Sequence, residues 1–332
     1  MPAKTINVVL TVETGPECLK AMRAVSPGIA LLNAAGLLLE EQNGDRRVKA
    51  ELDSILSTAD IVCGFCLPRD VVARSPHLKW IQVLSAGVDN VLNRNLVESR
   101  VKITTVSGIH AAPIAEFVLG LMLMFTKKMP LCMQNQRQKL WQRYAPGILC
   151  SKVIGIIGLG SIGREIARLA GAFGMKVIAT RYSCEAPSKA RYVDTLLPAD
   201  QLHRLLSQSD FVVCALPLTP QTRGLIGKQE FRAMKQSAYF INIARGGIVD
   251  EAELIRALEE GLIAGAGLDV FSTEPLPADS PLWDMPDVII SPHVAGDMED
   301  YMSSAVAVFI QNLKRYLAGK RLLNVVNKSR WY

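Results

Sequence analysis

The sequence has few of the features that mark secreted, membrane-spanning or metal-binding proteins. Its seven cysteines are an odd number without the spacing of a disulfide framework, which fits a reducing, cytoplasmic location. Residues 1–10 contain no basic region followed by a long apolar run and a cleavage site, so no signal peptide is expected. The most apolar stretch, residues 117–125, is shorter than the roughly 20 residues that cross a bilayer and is predicted to be a buried helix.

Basic residues are in slight excess, but they form no block. The net charge is +6, and Lys and Arg occur singly or in pairs such as Arg46-Arg47. Nucleic-acid and membrane partners are therefore not expected, and the excess is attributed to ordinary surface charge and an anion site.

One C-x-x-C pair, Cys63 and Cys66, is present. A zinc or redox role needs a second ligand pair or a thioredoxin-like context, and neither is visible. Both residues are therefore predicted to be buried thiols at the end of a strand, and no metal site is expected.

The chain of 332 residues shows no repeat and no low-complexity linker, and its length favours two domains. The first region alternates short apolar strands with helices, one of them near residues 52–58, and is predicted to be α/β. Its predicted strands are residues 7–10, 30–33, 61–65, 80–84 and 101–105.

A helical tract is predicted from residue 112 to residue 141, broken or kinked at Pro130, and a second α/β region begins at Lys152. Helical periodicity separates most of its strands, which predicts a parallel, doubly wound (Rossmann) sheet. The six predicted strands are residues 153–157, 177–180, 211–215, 238–243, 264–269 and 288–291.

The last predicted helix, residues 299–317, is expected to pack against the first region and to make that domain discontinuous. The predicted division is therefore residues 1–108 with 299–332 for one domain and residues 109–298 for the other.

A glycine-rich segment follows the first strand of the second region. The segment Gly158-Leu159-Gly160-Ser161-Ile162-Gly163 lies between an apolar strand and an amphipathic helix, which is the order that a dinucleotide site requires. Gly158 permits the tight turn, Gly160 lets the backbone approach a pyrophosphate, and Gly163 lets helix and strand pack closely. Free N–H groups at the helix N-terminus, from Ser161 and Ile162, favour the anion.

The next strand ends at Thr180-Arg181, where an NAD site usually has an acidic residue about 20 positions after the glycines. Arg181 can pair with a ribose 2′-phosphate, and Thr180 can donate a hydrogen bond to it. The sequence therefore favours NADP(H). The alternative is that Arg181 stacks on adenine and that NAD(H) binds as well.

Three residues follow successive strands of this region. Arg245, Glu274 and His293 come after the fourth, fifth and sixth strands, and ligands bind beyond the carboxyl ends of parallel strands. A histidine beside a carboxylate is suited to protonate a carbonyl oxygen that receives a hydride. A guanidinium binds a substrate carboxylate and polarises the carbonyl.

Over nearly its whole length the sequence resembles the D-isomer-specific 2-hydroxyacid dehydrogenases. The segments that carry the resemblance are Ser85-Ala86-Gly87-Val88-Asp89, Gly108-Ile109-His110-Ala111, Ala215-Leu216-Pro217-Leu218-Thr219 to Thr222-Arg223, Ala244-Arg245-Gly246-Gly247, Gly267-Leu268-Asp269-Val270, Glu274-Pro275 and Pro292-His293.

The resemblance implies hydride transfer between NAD(P)H and a small 2-oxo acid, with His293 as general acid/base, Glu274 orienting it and Arg245 anchoring the carboxylate. It implies that backbone N–H groups of Ala86, Gly87 and Val88 hold the substrate carboxylate. It also implies a flavodoxin-like α/β substrate domain and a homodimer. The further positions expected to contact the cofactor are Leu216, Pro217, Thr222, Ile243, Asp269 and Gly296. Asp269 is expected to hold the nicotinamide carboxamide.

Several alternatives stay open. The substrate is glyoxylate, hydroxypyruvate or a similar acid; 3-phosphoglycerate dehydrogenase activity, which needs a further basic cluster, is a second possibility. A third is a dinucleotide-sensing binding protein of the corepressor type. His110 is predicted to pack rather than to react, and Trp141 either packs or reaches the site of a partner subunit.

Overall fold

The computed structural model describes residues 5–332. Residues 1–4 lie outside the described residues, so the expectation that residues 1–10 form no signal peptide falls partly outside them. The chain divides into two compact units. The first comprises the described residues up to Ile109 together with Met298–Tyr332, and the second is His110–Asp297, so the second is inserted in the sequence of the first.

The first unit is built on a five-stranded parallel sheet in the order β2-β1-β3-β4-β5. This is the flavodoxin-like order, which reverses direction between β1 and β3. All five predicted strands are present. Their bounds are β1 Ile6–Leu10, β2 Ile29–Asn33, β3 Ile61–Gly64, β4 Trp80–Val83 and β5 Lys102–Thr104.

Hydrophobic clusters cover both faces of this sheet, as a parallel sheet requires. Leu52 and Leu56 lie one helical turn apart on α3 and are fully buried. The helices of this part of the chain are α1 Pro16–Arg23, α2 Ala35–Gln42, α3 Lys49–Ser57, α4 Val71–Arg74 and α5 Arg94–Glu98.

The second unit contains an eight-stranded sheet in the order β13-β12-β11-β10-β6-β7-β9-β8. Every neighbouring pair is parallel except β8 and β9, which are antiparallel. The strands are β6 Val153–Ile157, β7 Lys176–Arg181, β8 Ser188–Ala190, β9 Val193–Pro198, β10 Phe211–Cys214, β11 Tyr239–Asn242, β12 Gly265–Leu268 and β13 Val288–Ile290. The predicted doubly wound parallel fold is confirmed.

Helices on both faces of this sheet bury two large apolar clusters. The α-helices are α6 Ala111–Thr126, α7 Met129–Arg137, α8 Ser161–Ala172, α9 Leu202–Gln208, α10 Lys228–Ala233 and α11 Glu251–Glu259. Three 3-10 helices lie at Ala199–Gln201, Gly246–Ile248 and Pro281–Asp284.

The C-terminal helix α12, Tyr301–Leu317, belongs to the first unit. Ala305, Phe309 and Leu313 recur every four residues on one face and are fully buried. The Phe309 ring packs on Trp80 of β4 with ring centroids 5.4 Å apart. The C-terminal helix therefore packs into the same hydrophobic core as the strands of the first unit.

Two predictions about the second unit's elements were wrong in part. The predicted helical tract of residues 112–141 is two helices, α6 and α7, and the second ends at Arg137. The break between them lies at Lys127-Lys128, before Pro130. Pro130 fits the first turn of α7, where no N–H partner is needed. The sheet has eight strands, and the prediction of six missed β8 and β9. β8 is exposed, and in β9 buried residues such as Val193 and Leu196 do not alternate regularly with exposed ones, so neither strand shows the expected pattern.

Candidate active site

The glycine segment turns tightly between β6 and α8. Gly158 has φ +102°, and a Cβ there would lie 2.7 Å from the Ala215 carbonyl oxygen. A Cβ on Gly163 would lie 2.2 Å from the Gly158 carbonyl oxygen, so the turn and the helix pack too closely for a side chain. Gly160 differs, because it is exposed and a Cβ there would meet nothing within 4 Å.

The open space over Gly160 lies at the N-terminus of α8. Gly160 is the N-cap residue of this helix, so no capping side chain occupies its first N–H groups. The first turn of a helix carries free N–H groups and a positive potential, so Ser161 and Ile162 present donors to an anion there. These residues therefore fit the pyrophosphate of a dinucleotide.

The loop after β10 adjoins this segment. The Leu216 side chain lies 2.9 Å from the position that a Cβ on Gly158 would occupy. Thr222 Oγ1 donates to the Pro217 carbonyl oxygen at 2.7 Å and accepts from Thr219 N–H at 2.8 Å. Since β6 lies between β7 and β10, the two loops meet where the strand order reverses, the usual ligand position of such sheets.

The end of β7 supports the glycine turn from the other side. The Thr180 carbonyl oxygen accepts from the N–H groups of Gly158 at 3.2 Å and Leu159 at 3.1 Å. The Thr180 side chain is buried, while Arg181 is exposed at the last position of the strand. The strand therefore presents a guanidinium, not a carboxylate, beside the dinucleotide segment.

Arg245, Glu274 and His293 follow β11, β12 and β13, which are neighbours in the sheet. The turn that carries Arg245 is held by Asn242, whose Oδ1 accepts from Ala244 N–H at 3.1 Å and whose Nδ2 donates to the Arg245 carbonyl oxygen at 3.2 Å. Arg245 Nη1 donates to the Ala244 carbonyl oxygen at 2.7 Å.

His293 and Glu274 form a close pair. His293 Nδ1 lies 2.8 Å from Glu274 Oε2, and Glu274 Oε1 accepts from Phe271 N–H at 3.0 Å. The side chains are 45% and 37% exposed, so the imidazole is open to a ligand. An ionised carboxylate can only accept, so Nδ1 carries the shared hydrogen and Nε2 is left for proton exchange.

Asp269 holds the segment that carries His293. Its Oδ1 accepts from Ser291 Oγ at 2.7 Å and from Val294 N–H at 2.9 Å, and its Oδ2 accepts from Ala295 N–H at 3.0 Å. The carboxylate is 2% exposed. These bonds fix the backbone on the C-terminal side of His293, whose φ of +57° is uncommon for a side-chain-bearing residue.

Replacing Asp269 with asparagine is expected to lower the free energy of unfolding by about 2 kcal/mol, because an amide cannot accept all three charge-assisted hydrogen bonds. Urea denaturation measures this, with Asp279→Asn as the exposed control. A loss equal to that of the control would show that the three bonds do not contribute to stability.

His110 lies beside the same segment. A Cβ on Gly296 would come within 3.0 Å of His110 Cδ2, so the two pack closely. Burial lowers the pKa of His110 and the Arg245 charge lowers it further, while Asp297 acts in the opposite direction. A buried, neutral imidazole fits the predicted packing role.

The predicted substrate segment lies in the first unit, directly after β4. Ser85 Oγ donates to the Gly87 carbonyl oxygen at 2.7 Å. Within residues 5–332, the N–H groups of Ala86, Gly87 and Val88 have no acceptor. In a turn conformation, successive N–H groups can form a concavity that binds anions.

Sequence reasoning missed Asn242 and Ser291, which are polar and lie at strand ends. Asn242 is buried and hydrogen-bonds the turn that carries Arg245, while the half-buried Ser291 donates to the carboxylate of Asp269. The available signal for Asn242 was an Asn three residues before Arg245, a position that favours side-chain-to-backbone bonding. Ser291 gave no such local signal, because its partners lie 23 and 22 residues away in the sequence.

Three other predictions concern cysteine, metal and Trp141. All seven thiols are free; Cys63 is buried as predicted, but the prediction was wrong for Cys66, which is exposed because β3 ends at Gly64, before it. In the described part of the chain no group of three or more potential ligand side chains is placed to bind a metal. Trp141 is 96% exposed, so it does not pack within this chain.

None of the helices among residues 5–332 combines the length and apolarity needed to cross a bilayer.

Comparison with known proteins places these features in context. Residues 119–295 match the family described as D-isomer specific 2-hydroxyacid dehydrogenase, NAD binding domain. The chain is 35% identical over 284 residues to glyoxylate/hydroxypyruvate reductase B of Pectobacterium carotovorum, covering 82% of this chain and 87% of the relative. It is 34% identical over 284 residues to D-3-phosphoglycerate dehydrogenase of Methanocaldococcus jannaschii, covering 84% of this chain but 54% of that relative.

The fold is similar to that of a D-isomer specific 2-hydroxyacid dehydrogenase from Xanthobacter autotrophicus, whose crystal structure contains NADPH and MES. The TM-score is 0.82 at 32% sequence identity, covering 99% of this chain and 100% of the other. Similarity therefore extends over both units and not only over the dinucleotide-binding segment.

Proposed function

The chain belongs to the D-isomer-specific 2-hydroxyacid dehydrogenase family, and on that premise we propose that it reduces glyoxylate, hydroxypyruvate or a similar small 2-oxo acid with NADPH. The observation that carries the proposal is the 2.8 Å pair of His293 Nδ1 and Glu274 Oε2, formed at the sheet edge that also bears Arg245 and the glycine turn. An acid/base pair beside a dinucleotide turn supports reduction of a carbonyl group.

In the direction of reduction, the nicotinamide supplies the hydride that the carbonyl carbon receives. His293 donates the Nε2 proton to the carbonyl oxygen, and the Glu274 carboxylate stabilises the imidazolium before that transfer. Arg245 stabilises the negative charge that grows on this oxygen. The product is a 2-hydroxy acid of D configuration, as the family implies, and His293 regains its proton from water.

The substrate carboxylate requires donors of its own. We assign it to the N–H groups of Ala86, Gly87 and Val88 together with Arg245, because hydrogen bonds from several fixed donors orient a carboxylate. A substrate whose third-carbon substituent is uncharged needs no cation beyond these donors.

The preference for NADPH rests on the end of β7. Arg181 is exposed there, and no carboxylate is present in Thr180-Arg181-Tyr182 to accept the ribose hydroxyls. A guanidinium in this position pairs with a 2′-phosphate. The NADPH found in the Xanthobacter autotrophicus structure is consistent with the assignment. Ser161, Ile162, Leu216, Pro217, Thr222, Ile243 and Gly296 are proposed as further cofactor contacts.

Replacing Arg181 with alanine is expected to raise the KM for NADPH about 30-fold and leave the KM for NADH within about twofold, because only NADPH carries the phosphate. Steady-state kinetics with both cofactors measure the change. Lys189→Ala on exposed β8 is the matched control. If both KM values rise equally, Arg181 contacts a part that the two cofactors share.

The proposal as a whole is tested by NADPH oxidation with a panel of 2-oxo acids. We expect turnover with glyoxylate and hydroxypyruvate and little with 3-phosphohydroxypyruvate. Preference for the phosphorylated acid would support the second candidate, 3-phosphoglycerate dehydrogenase, which the Methanocaldococcus jannaschii relative favours. Cofactor binding without turnover on any 2-oxo acid would favour a dinucleotide-sensing protein of the corepressor type.

We also propose a cytoplasmic homodimer. Seven free thiols suit a reducing compartment. Large apolar side chains are exposed on and after α7, and such a patch commonly marks a protein interface. They are Met133, Leu140, Trp141 and Ile148. Sedimentation of the purified chain decides between a monomer and a dimer.

A further inference from the structure

In the substrate segment, residues 84–88, four of the five carbonyl groups accept a hydrogen bond, those of Leu84, Ser85, Gly87 and Val88. The Ser85 carbonyl oxygen accepts from Val106 N–H at 3.2 Å, and the Gly87 carbonyl oxygen accepts from Ser85 Oγ. The Val88 carbonyl oxygen accepts from the N–H groups of Val91 and Leu92. The N–H groups of Ala86, Gly87 and Val88, by contrast, have no acceptor within residues 5–332.

The fourth of these carbonyls, that of Leu84, accepts from a side chain near the other end of the chain. The Tyr301 hydroxyl donates to it at 2.7 Å, across 217 residues of sequence. Leu84 is fully buried, so its carbonyl cannot exchange this donor for water without cost. The bond lies at the point where β4 ends and the substrate segment begins.

The Tyr301 ring is itself held in place. It is the first residue of α12, and its centroid lies 5.8 Å from that of Phe65 in the loop after β3. The hydroxyl therefore comes from a fixed ring on a helix packed in the core. A side chain mounted in this way sets the direction of the Leu84 carbonyl and of the peptide planes after it.

We propose that Tyr301 is a positioning residue for the substrate carboxylate, and the inference rests on the proposed function. Its hydroxyl orients the Leu84 peptide so that the N–H groups of Ala86, Gly87 and Val88 point at one carboxylate. It takes part in neither hydride nor proton transfer. Removing the hydroxyl therefore weakens binding of the 2-oxo acid and leaves chemistry and cofactor binding alone.

The kinetic test is Tyr301→Phe, which keeps the ring and its contact with Phe65. We expect the KM for glyoxylate to rise about tenfold, with kcat and the KM for NADPH within about twofold of the wild type. The matched control is Tyr316→Phe, which removes a hydroxyl from the same helix while keeping the ring stacked on Trp80. A general loss of structure would instead change both KM values and the melting temperature.

Hydrogen–deuterium exchange of residues 84–90 tests whether the Tyr301 hydroxyl holds this segment, without relying on activity. We expect faster exchange there in Tyr301→Phe and unchanged exchange in Tyr316→Phe. Unchanged exchange in Tyr301→Phe overturns the inference. Faster exchange with an unchanged KM also overturns it, because the segment then does not bind the carboxylate. A wild-type enzyme inactive on all 2-oxo acids would refute the proposed function. The exchange measurement would still show whether the Tyr301 hydroxyl holds residues 84–90 in place.

Discussion

Replacing His293 with alanine is expected to lower kcat by about 10³-fold, because the carbonyl oxygen then has no positioned proton donor. The imidazole is 45% exposed and its Nδ1 is bonded to Glu274, so the ring is not part of the buried core. Stability and the dissociation constant for NADPH are therefore expected to stay at wild-type values. Stopped-flow reduction of glyoxylate and fluorescence titration of NADPH measure the two quantities.

Two further variants sharpen this test. Glu274→Gln keeps the shape of the partner but removes its charge, so kcat should fall by about 10- to 100-fold, less than for His293→Ala. His77→Ala removes an exposed histidine of the first unit and should change nothing. If His293→Ala keeps more than a tenth of the wild-type kcat, the acid/base assignment is wrong.

The sequence predicted those parts of the fold that depend on buried apolar strands. Strands such as β6 and β10, buried throughout or nearly so, give continuous apolar runs between helical repeats, and both were predicted. The antiparallel β8 is exposed at the sheet edge, so its side chains carry no pattern, and it was missed. An exposed strand such as β8 buries few side chains, so its sequence shows little of the apolar pattern that reveals a strand.

The candidate site divides in the same way. Arg245, Glu274 and His293 were found because each reactive side chain follows a predicted strand, and parallel strands bring their ends to one edge. Asn242 was missed because it acts on backbone atoms two to three residues away. Ser291 was missed because its partners, Leu268 and Asp269, lie 23 and 22 residues away in the sequence. The bond from Tyr301 to Leu84 joins residues 217 apart, and only the folded chain shows it.

The polar residues around the site share one task, which is to fix short backbone turns. Asn242 binds the turn of Arg245, Asp269 binds the segment of His293, and Glu274 accepts from the Phe271 N–H while it holds the imidazole. Because a displacement of about 1 Å can cost about 100-fold in rate, such turns must be rigid. The positions of Arg245, Glu274 and His293 therefore depend on the rigidity of the backbone turns that carry them.

Gly246→Ala tests this dependence on the backbone most directly. A Cβ on Gly246 would lie 1.9 Å from the carbonyl carbon and oxygen of Phe271 and 2.4 Å from Ser272 N. All three are backbone atoms, so the turns after β11 and β12 must separate by about 1 Å to admit a methyl group. The neighbours of this contact are Arg245 on one side and the Phe271 N–H, a donor to Glu274, on the other.

We expect Gly246→Ala to lower kcat/KM by about 100-fold or more and the free energy of unfolding by about 1–3 kcal/mol. The adjacent Gly247→Ala is the control, because a Cβ there would meet only the side chains of Arg223 and Leu218, at 3.3 Å and 3.4 Å, which can shift. Steady-state kinetics and urea denaturation of both variants separate the two effects. Equal behaviour of the two would show that the close approach of these turns does not hold Arg245 and Glu274 in place.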